Sequence, residues 1–83
     1  MSQKDICILI PTLNEEESIE PVIRDFRELG YDNILVVDGH STDKTVEKAR
    51  AAGARIFIQS GSGKGQALKE VFSHIKEKYI LLI

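Results

Sequence analysis

Four short apolar runs constrain the fold of this chain more than any other feature of its sequence. They lie within residues 6–10, 33–38, 55–59 and 79–83, and each has the length and the β-branched content of a strand. The segments between them show helical periodicity. Strands that alternate with helices predict an α/β fold with three layers, a sheet between two layers of helices (αβα). Right-handed crossovers predict that the four strands form a parallel sheet in the order 3-2-1-4. We expect residues 1–83 to form one domain.

The first helix is marked by apolar residues at helical spacing that end at Gly30: Ile19, Val22, Ile23, Phe26 and Leu29. Pro21 decides where this helix starts. With Asn14 as the cap, Pro21 would lie inside the helix at a cost of roughly 3 kcal/mol, whereas with Ser18 as the cap it lies in the tolerated first turn. Ser18 is therefore the predicted cap.

The second helix is predicted from about Asp43 to Ala52, with Ser41 or Asp43 as its cap and Gly53 as its stop. A third helix follows residues 60–65, and its predicted inner face consists of Leu68, Val71, Phe72 and Ile75.

The composition is that of an ordinary soluble protein, with 42% hydrophobic and 29% charged residues and a formal net charge of −2. Nucleic acid is not an expected partner because no basic face is visible. No apolar run approaches the roughly 20 residues of a membrane span, and no signal-peptide pattern is present, so a cytoplasmic location is predicted. Cys7 is the single cysteine and is predicted to be a buried apolar filler.

The sequence Val36-Val37-Asp38-Gly39-His40-Ser41-Thr42-Asp43 passes from a buried strand into a polar turn. It places Asp38 at the carboxyl end of a parallel strand, where open α/β sheets bind ligands. One interpretation is that Asp38 contacts a ligand. The other, which the residues leave open, is that Asp38 only hydrogen-bonds its own turn.

Two further loops leave strands at the same rim of the sheet. The loop after the first strand has no glycine and carries Glu15, Glu16 and Glu17, so it repels phosphate and suits a base or a ribose. The loop at residues 61–65 has three glycines around Lys64, which lets backbone N–H groups and a positive charge approach an anion. It does not match a P-loop. A connector with a solvated lysine is the alternative.

Three motifs carry a resemblance to a known family: Ile10-Pro11-Thr12-Leu13-Asn14-Glu15, Val37-Asp38-Gly39-His40-Ser41-Thr42-Asp43 and Gly63-Lys64-Gly65. In this order and spacing they resemble the N-terminal half of family 2 glycosyltransferases with the GT-A fold. The most similar subgroup is the polyprenyl-phosphate sugar transferases related to dolichol-phosphate mannose synthase. The resemblance covers nearly all 83 residues.

The resemblance implies the nucleotide-binding half of an enzyme that transfers a sugar from a UDP- or GDP-sugar to a polyprenyl phosphate or a glycan. It implies that the first loop and Glu15 lie near the nucleoside, that Asp38 contacts the base, and that the loop containing Lys64 lies beside them. The nucleotide-binding residues implied in this way are Pro11, Thr12, Leu13, Asn14, Glu15, Asp38, Gly39, Ser41, Asp43, Gly63, Lys64 and Gly65.

Two departures from the family pattern limit what the resemblance implies. Many relatives have two adjacent acids at the end of the second strand, whereas Asp38 is followed here by Gly39. The family's metal-binding Asp-x-Asp, which holds Mg²⁺ or Mn²⁺ in full-length relatives, does not occur in the 83 residues. We therefore assign no catalytic residue, metal ligand or cofactor to this chain, and we expect it to transfer no sugar by itself.

Two other functional classes remain open. A binding or assembly module without chemistry is consistent with the lack of Asp-x-Asp. A receiver-like or flavodoxin-like signalling domain is disfavoured, because a receiver needs an acid pair after the first strand, where Pro11 and Thr12 stand. Residues 79–83 are expected to leave an unpaired apolar edge through which the chain self-associates.

Overall fold

The computed structural model describes residues 3–59, 64–73, 75–77 and 79–83, with the backbone alone described for residues 64–68. After a short 3₁₀ turn at Gln3–Asp5, strands and helices alternate along the chain. They are β1 (Ile6–Thr12), α1 (Ile19–Glu28), β2 (Ile34–Asp38), α2 (Thr45–Ala51), β3 (Arg55–Ile58), α3 (Lys64–Ser73) and β4 (Tyr79–Leu82).

The four strands form one parallel sheet in the order β3-β2-β1-β4, which confirms the predicted topology. Ile8 pairs with Ile34 across β1 and β2, and Val36 pairs with Ile56 across β2 and β3. Because β1 and β2 are parallel neighbours whose register runs to Thr12 and Asp38, their carboxyl ends lie side by side at one rim of the sheet. The change of direction in the strand order lies between β1 and β4.

The strand β1 continues two residues beyond its predicted end, through Pro11 to Thr12. Even-numbered residues of β1 use their backbone groups toward β2, as the Ile8 N–H does toward the Asn33 carbonyl. Odd-numbered residues use theirs toward β4, where the Leu9 carbonyl accepts the Ile83 N–H. Pro11 is an odd-numbered residue, so the N–H that it lacks would point toward β4, which pairs with β1 only as far as Leu9. The hydrogen bonds between β1 and β2 are therefore not interrupted by the proline.

A buried core lies on each face of the sheet, which confirms the three-layer arrangement. On one face α1 and α2 cover β1 and β2, with a core of Ile8, Ile10, Ile19, Ile23, Ile34, Val36, Ala49 and Ala54. On the other face α3 covers the sheet, with a core of Cys7, Leu9, Leu35, Val37 and Val71. Cys7 is fully buried, as predicted, and its burial raises the pKa of the thiol.

Two residues assigned to inner helix faces are instead exposed. Phe72 is 47% exposed although Val71 beside it is fully buried, and Leu29 is 64% exposed at the last turn of α1. Leu29 is the C-cap of α1, where the chain turns away from the sheet. Ile75 packs on the α3 core as predicted, and the side chain of Leu68 is outside the described part.

The start of α1 agrees with the prediction, and the start of α2 does not. Ser18 occupies the N-cap position of α1, so Pro21 lies in the first turn, although the Ser18 hydroxyl makes no capping hydrogen bond. The helix α2 begins at Thr45 with Lys44 as its N-cap, two residues later than predicted. Neither Ser41 nor Asp43 occupies the cap position: Ser41 binds Asp38 and Asn14, and Asp43 lies one residue before the cap, although its Oδ1 accepts the N–H of Thr45.

In the part of the chain that the structure describes, no helix combines the length and the apolar character needed to cross a membrane.

Candidate functional site

The carboxyl group of Asp38 closes the end of β2 and is 1% exposed. Its Oδ1 accepts hydrogen bonds from the Thr12 hydroxyl at 2.9 Å and from the Ser41 hydroxyl at 2.5 Å. Its Oδ2 accepts the Ser41 N–H at 2.8 Å. These are the contacts of a residue that stabilises its own turn. A carboxylate has about four acceptor positions, so one position on Oδ2 is not used by the described residues.

Asn14 joins the first loop (residues 13–18) to the second loop (residues 39–44) through reciprocal hydrogen bonds. Its N–H donates to the Ser41 Oγ at 2.9 Å. Its side-chain Oδ1 accepts the Thr42 N–H at 2.9 Å and the Thr42 hydroxyl at 3.3 Å. Asn14 has a φ of 54°, a left-handed conformation that asparagine tolerates better than most residues. Each loop therefore fixes the backbone of the other.

Asp43 and Thr45 make the second connection between the loops. The Glu15 N–H donates to the Thr45 hydroxyl oxygen at 2.8 Å, and the Glu16 N–H donates to the Asp43 Oδ2 at 3.3 Å. The Thr45 hydroxyl in turn donates to the Asp43 Oδ1, which also accepts the Thr45 N–H at 2.9 Å. These bonds direct the backbone N–H groups of Glu15 and Glu16 toward the second loop and the start of α2.

Glu16 is bound from the α2 side as well. Its side-chain Oε2 accepts the Lys44 N–H at 3.4 Å, and its carbonyl accepts a hydrogen bond from the Lys48 Nζ at 3.2 Å. Lys48 therefore adds a positive charge next to the acidic first loop.

Two surface cavities flank the first loop. One, of about 290 Å³, is lined by Asn14, Glu15, Glu16, Glu17, Ser18 and Asp43, and its carboxylates disfavour a phosphate. The other, of about 110 Å³, lies between the end of β1 and α1 and is lined by Ile10, Pro11, Thr12, Glu15, Ser18, Ile19, Val22 and Ile83. The second cavity has the more apolar lining of the two.

The pKa of Asp43 is set by two opposing effects. Burial raises it, while hydrogen bonds from the Thr45 hydroxyl, the Thr45 N–H and the Glu16 N–H lower it. The hydrogen bonds outweigh the burial, so the pKa of the Asp43 carboxyl lies below its ordinary value. The hydrogen bonds that Asp43 accepts therefore favour its charged form.

Most predicted site residues of the first two loops meet at the rim. Thr12, Asn14, Glu15, Asp38, Ser41 and Asp43 are joined by the hydrogen bonds given above, and the Gly39 N–H donates to the Thr12 carbonyl at 2.9 Å. Pro11 and Leu13 are exposed beside them. Gly63 lies outside the described residues, and Lys64 and Gly65 begin α3, where the backbone alone is described. The relation of the third loop to the first two therefore stays a prediction.

Three residues at the rim were missed by sequence reasoning. Thr45 is a fully buried polar residue, Lys48 binds the Glu16 carbonyl, and His40 has a left-handed φ of 68°. The spacing of Asp43 and Thr45 was a usable signal, because an aspartate often accepts the N–H two residues ahead. Nothing comparable in the sequence around Lys48 or His40 indicated a position at the rim.

No group of three or more His, Cys, Asp or Glu side chains is arranged to hold a metal ion within residues 3–59 and the later described segments. Glu15, Glu17 and Asp43 share one cavity, but the described arrangement does not provide a metal site.

The sequence profile of "Glycosyl transferase family 2" matches residues 7–83. Glycosyltransferase AglJ of Haloferax volcanii is 54% identical over 79 residues, which are 94% of this chain and 26% of AglJ. Protein RfbJ of Shigella flexneri is 34% identical over 80 residues, which are 95% of this chain and 62% of RfbJ. The chain thus spans only part of the length of the curated relatives it matches.

Solved structures of glucosyl-3-phosphoglycerate synthase from Mycobacterium tuberculosis share the fold. The complex of that enzyme with UDP matches with a TM-score of 0.78 and 31% identity, over 93% of this chain and 32% of the enzyme. The complex with Mg²⁺ and UDP matches with a TM-score of 0.81 and 32% identity, over 94% of this chain and 32% of the enzyme. A further complex contains Mn²⁺, UDP-glucose and phosphoglyceric acid.

We expect the loop contact made by Asp43 to persist to a pH below the ordinary pKa of an aspartate. Because its folded pKa is depressed, the contribution of Asp43 is present at neutral pH and is lost as the pH falls through the folded pKa. The amide signals of Glu16 and Thr45 should shift together in an NMR titration, with a midpoint below the usual range of an aspartate. Asp43→Asn should show the acid-like signals already at neutral pH. A midpoint at or above the usual range would contradict this assignment.

Proposed function

The chain belongs to glycosyl transferase family 2, and from this membership we propose that its 83 residues bind the nucleotide of a nucleotide-sugar donor, with UDP as the first candidate. The observation that carries the proposal is the pair of interlocked loops at the carboxyl ends of β1 and β2. Ligands of open α/β sheets bind at this rim. The match to an enzyme solved with UDP supports UDP over GDP.

The charges of the loops suggest which part of the nucleotide each loop binds. The acidic first loop suits the nucleoside, whose base and ribose present N–H and O–H donors. Asp38 offers the unused Oδ2 position to a base N–H. Lys64, at the start of α3, supplies the positive charge that the diphosphate needs and that the first loop lacks.

For the whole enzyme, we propose transfer of the sugar to a polyprenyl phosphate or a glycan. The motifs shared with polyprenyl-phosphate sugar transferases support this acceptor class. A divalent metal, present as Mn²⁺ with UDP-glucose in the mycobacterial synthase, would screen the diphosphate and stabilise the leaving group. The 83 residues contain no Asp-x-Asp, so we propose that this polypeptide binds nucleotide weakly and transfers no sugar.

The direct test is a titration of the ¹⁵N-labelled chain with UDP, GDP and uridine, followed by NMR. We expect UDP to shift the amides of the first and second loops. Lys64→Ala should weaken UDP binding about fivefold, the equivalent of roughly 1 kcal/mol for an exposed charge pair, and should leave uridine binding unchanged. Lys69→Ala, an exposed lysine on the same helix, is the matched control. Loop amides that do not respond to UDP would contradict the proposed function.

The same titration separates the two roles of Asp38. A charge-assisted hydrogen bond from a base N–H to Asp38 contributes roughly 1.5–3 kcal/mol, and an amide in its place presents a donor to that N–H. Asp38→Asn should therefore abolish the uridine shifts while the spectrum stays dispersed, and the exposed Asp32→Asn should keep them. If folded Asp38→Asn still responds to uridine, Asp38 serves only its turn.

We also propose that the chain self-associates through β4. Tyr79, Ile80, Leu81 and Leu82 are 40–54% exposed, and β4 pairs with β1 on one side only among the described strands. Sedimentation should show dimers at high micromolar concentration. Leu81→Lys should shift the chain to monomer, because a lysine on an edge strand opposes pairing. Leu29→Lys, which also charges an exposed leucine, should leave the dimer intact. A strict monomer at that concentration rules the association out.

A further inference from the structure

Thr45 combines full burial with a hydroxyl that bonds to both the first and the second loop. It is 0% exposed at the first position of α2. Its oxygen accepts the Glu15 N–H at 2.8 Å from the first loop, and its hydroxyl proton goes to the Asp43 Oδ1 of the second loop. The hydroxyl thus lies between a donor and an acceptor that are 28 residues apart in sequence.

Packing alone does not explain this side chain. A valine has nearly the same shape and would fill the same space without burying a polar group. The hydroxyl is stable in this place because both of its hydrogen-bonding functions are satisfied. Removing it would leave the Glu15 N–H without its partner in a partly buried position, where an unmade bond is costly.

Glu15 is bound both by the start of α1 and by Thr45. Its carbonyl accepts the Ser18 N–H at 3.1 Å and the Ile19 N–H at 2.9 Å, and its Oε2 accepts the Ser18 hydroxyl at 3.1 Å. Glu15 precedes α1, so its N–H has no helical acceptor, and the Thr45 oxygen is the acceptor that the structure gives it. Asn14 is fixed from the other side by Ser41 and Thr42. Thr45 therefore fixes the Glu15 N–H to α2, on the side of Glu15 that the start of α1 does not bind.

We infer that Thr45 is a positioning residue for nucleotide binding: it touches no nucleotide itself, and it holds Glu15 and the first loop in the conformation that binds the nucleoside. This inference rests on the proposed function. It adds a residue on α2 that lies behind the loops and that the motifs did not assign to the site. The hydroxyl group, rather than the bulk of the side chain, carries the role.

The test compares Thr45→Val, which removes the hydroxyl and keeps the shape, with Thr45→Ser, which keeps the hydroxyl. Ile23→Val is the control for a small loss of core packing, since Ile23 is a fully buried residue of α1 in the core beneath that helix. For each chain, NMR gives the shift of the Glu15 amide proton without ligand and the dissociation constant for UDP. We expect Thr45→Val to move the Glu15 amide proton upfield and to weaken UDP binding at least fivefold. Thr45→Ser and Ile23→Val should stay within twofold of the unsubstituted chain.

An altered Glu15 amide with unchanged UDP affinity would overturn the positioning role and leave the proposed function intact. Equal losses of affinity in Thr45→Val and Thr45→Ser would overturn it too, because the hydroxyl would then not be the group that matters. If the unsubstituted chain does not bind UDP, the proposed function fails and this inference fails with it. An unchanged Glu15 amide in Thr45→Val would show that the hydrogen bond does not hold the loop.

Discussion

The carboxyl group of Asp38 lies at the end of an interior strand and out of contact with water, a position in which an acid needs donors around it. Thr12 supplies one donor from the adjacent end of β1, and Ser41 supplies two from the turn. These bonds fix the turn after β2 and the end of β1 together. Because Ser41 is held in this way, its oxygen faces the first loop and accepts the Asn14 N–H. The contact between the loops through Ser41 and Asn14 therefore depends on one buried acid.

The interlocked loops explain how a small sheet can present a defined surface to a ligand. Loops that must be ordered on binding reduce affinity, and loops that are already fixed avoid that cost. Here the Asn14 side chain binds the backbone of the second loop, and the side chains of Asp43 and of Thr45 at the start of α2 bind the backbone of the first. The carboxylates of the first loop disfavour phosphate at the same place. This charge distribution is the reason that the proposed site assigns the nucleoside to the first loop and the diphosphate to the start of α3.

The sheet order and the two-sided core could be predicted because they depend on local patterns: apolar runs of strand length, helical spacing between them, and the rule for crossovers. The location of Asn14, Asp38 and Ser41 at one rim follows from the same topology. The roles of Asp43 and Ser41 could not be predicted, because each binds a backbone group 27 residues away and gives up the cap position for it. Phe72 shows a related limit, since periodicity marks a helix face but not which of two adjacent residues reaches the sheet.

The hydrogen bonds between the first and second loops imply that these loops are fixed to each other in the unliganded chain. Native-state hydrogen exchange of the unliganded chain tests it most directly, because the amides of Asn14, Glu15 and Thr42 donate to side chains of the opposite loop or of α2. We expect the protection of these three amides to approach that of the amides in β1 and β2. Exchange of all three at the rate of unprotected amides, while the strands remain protected, would contradict it.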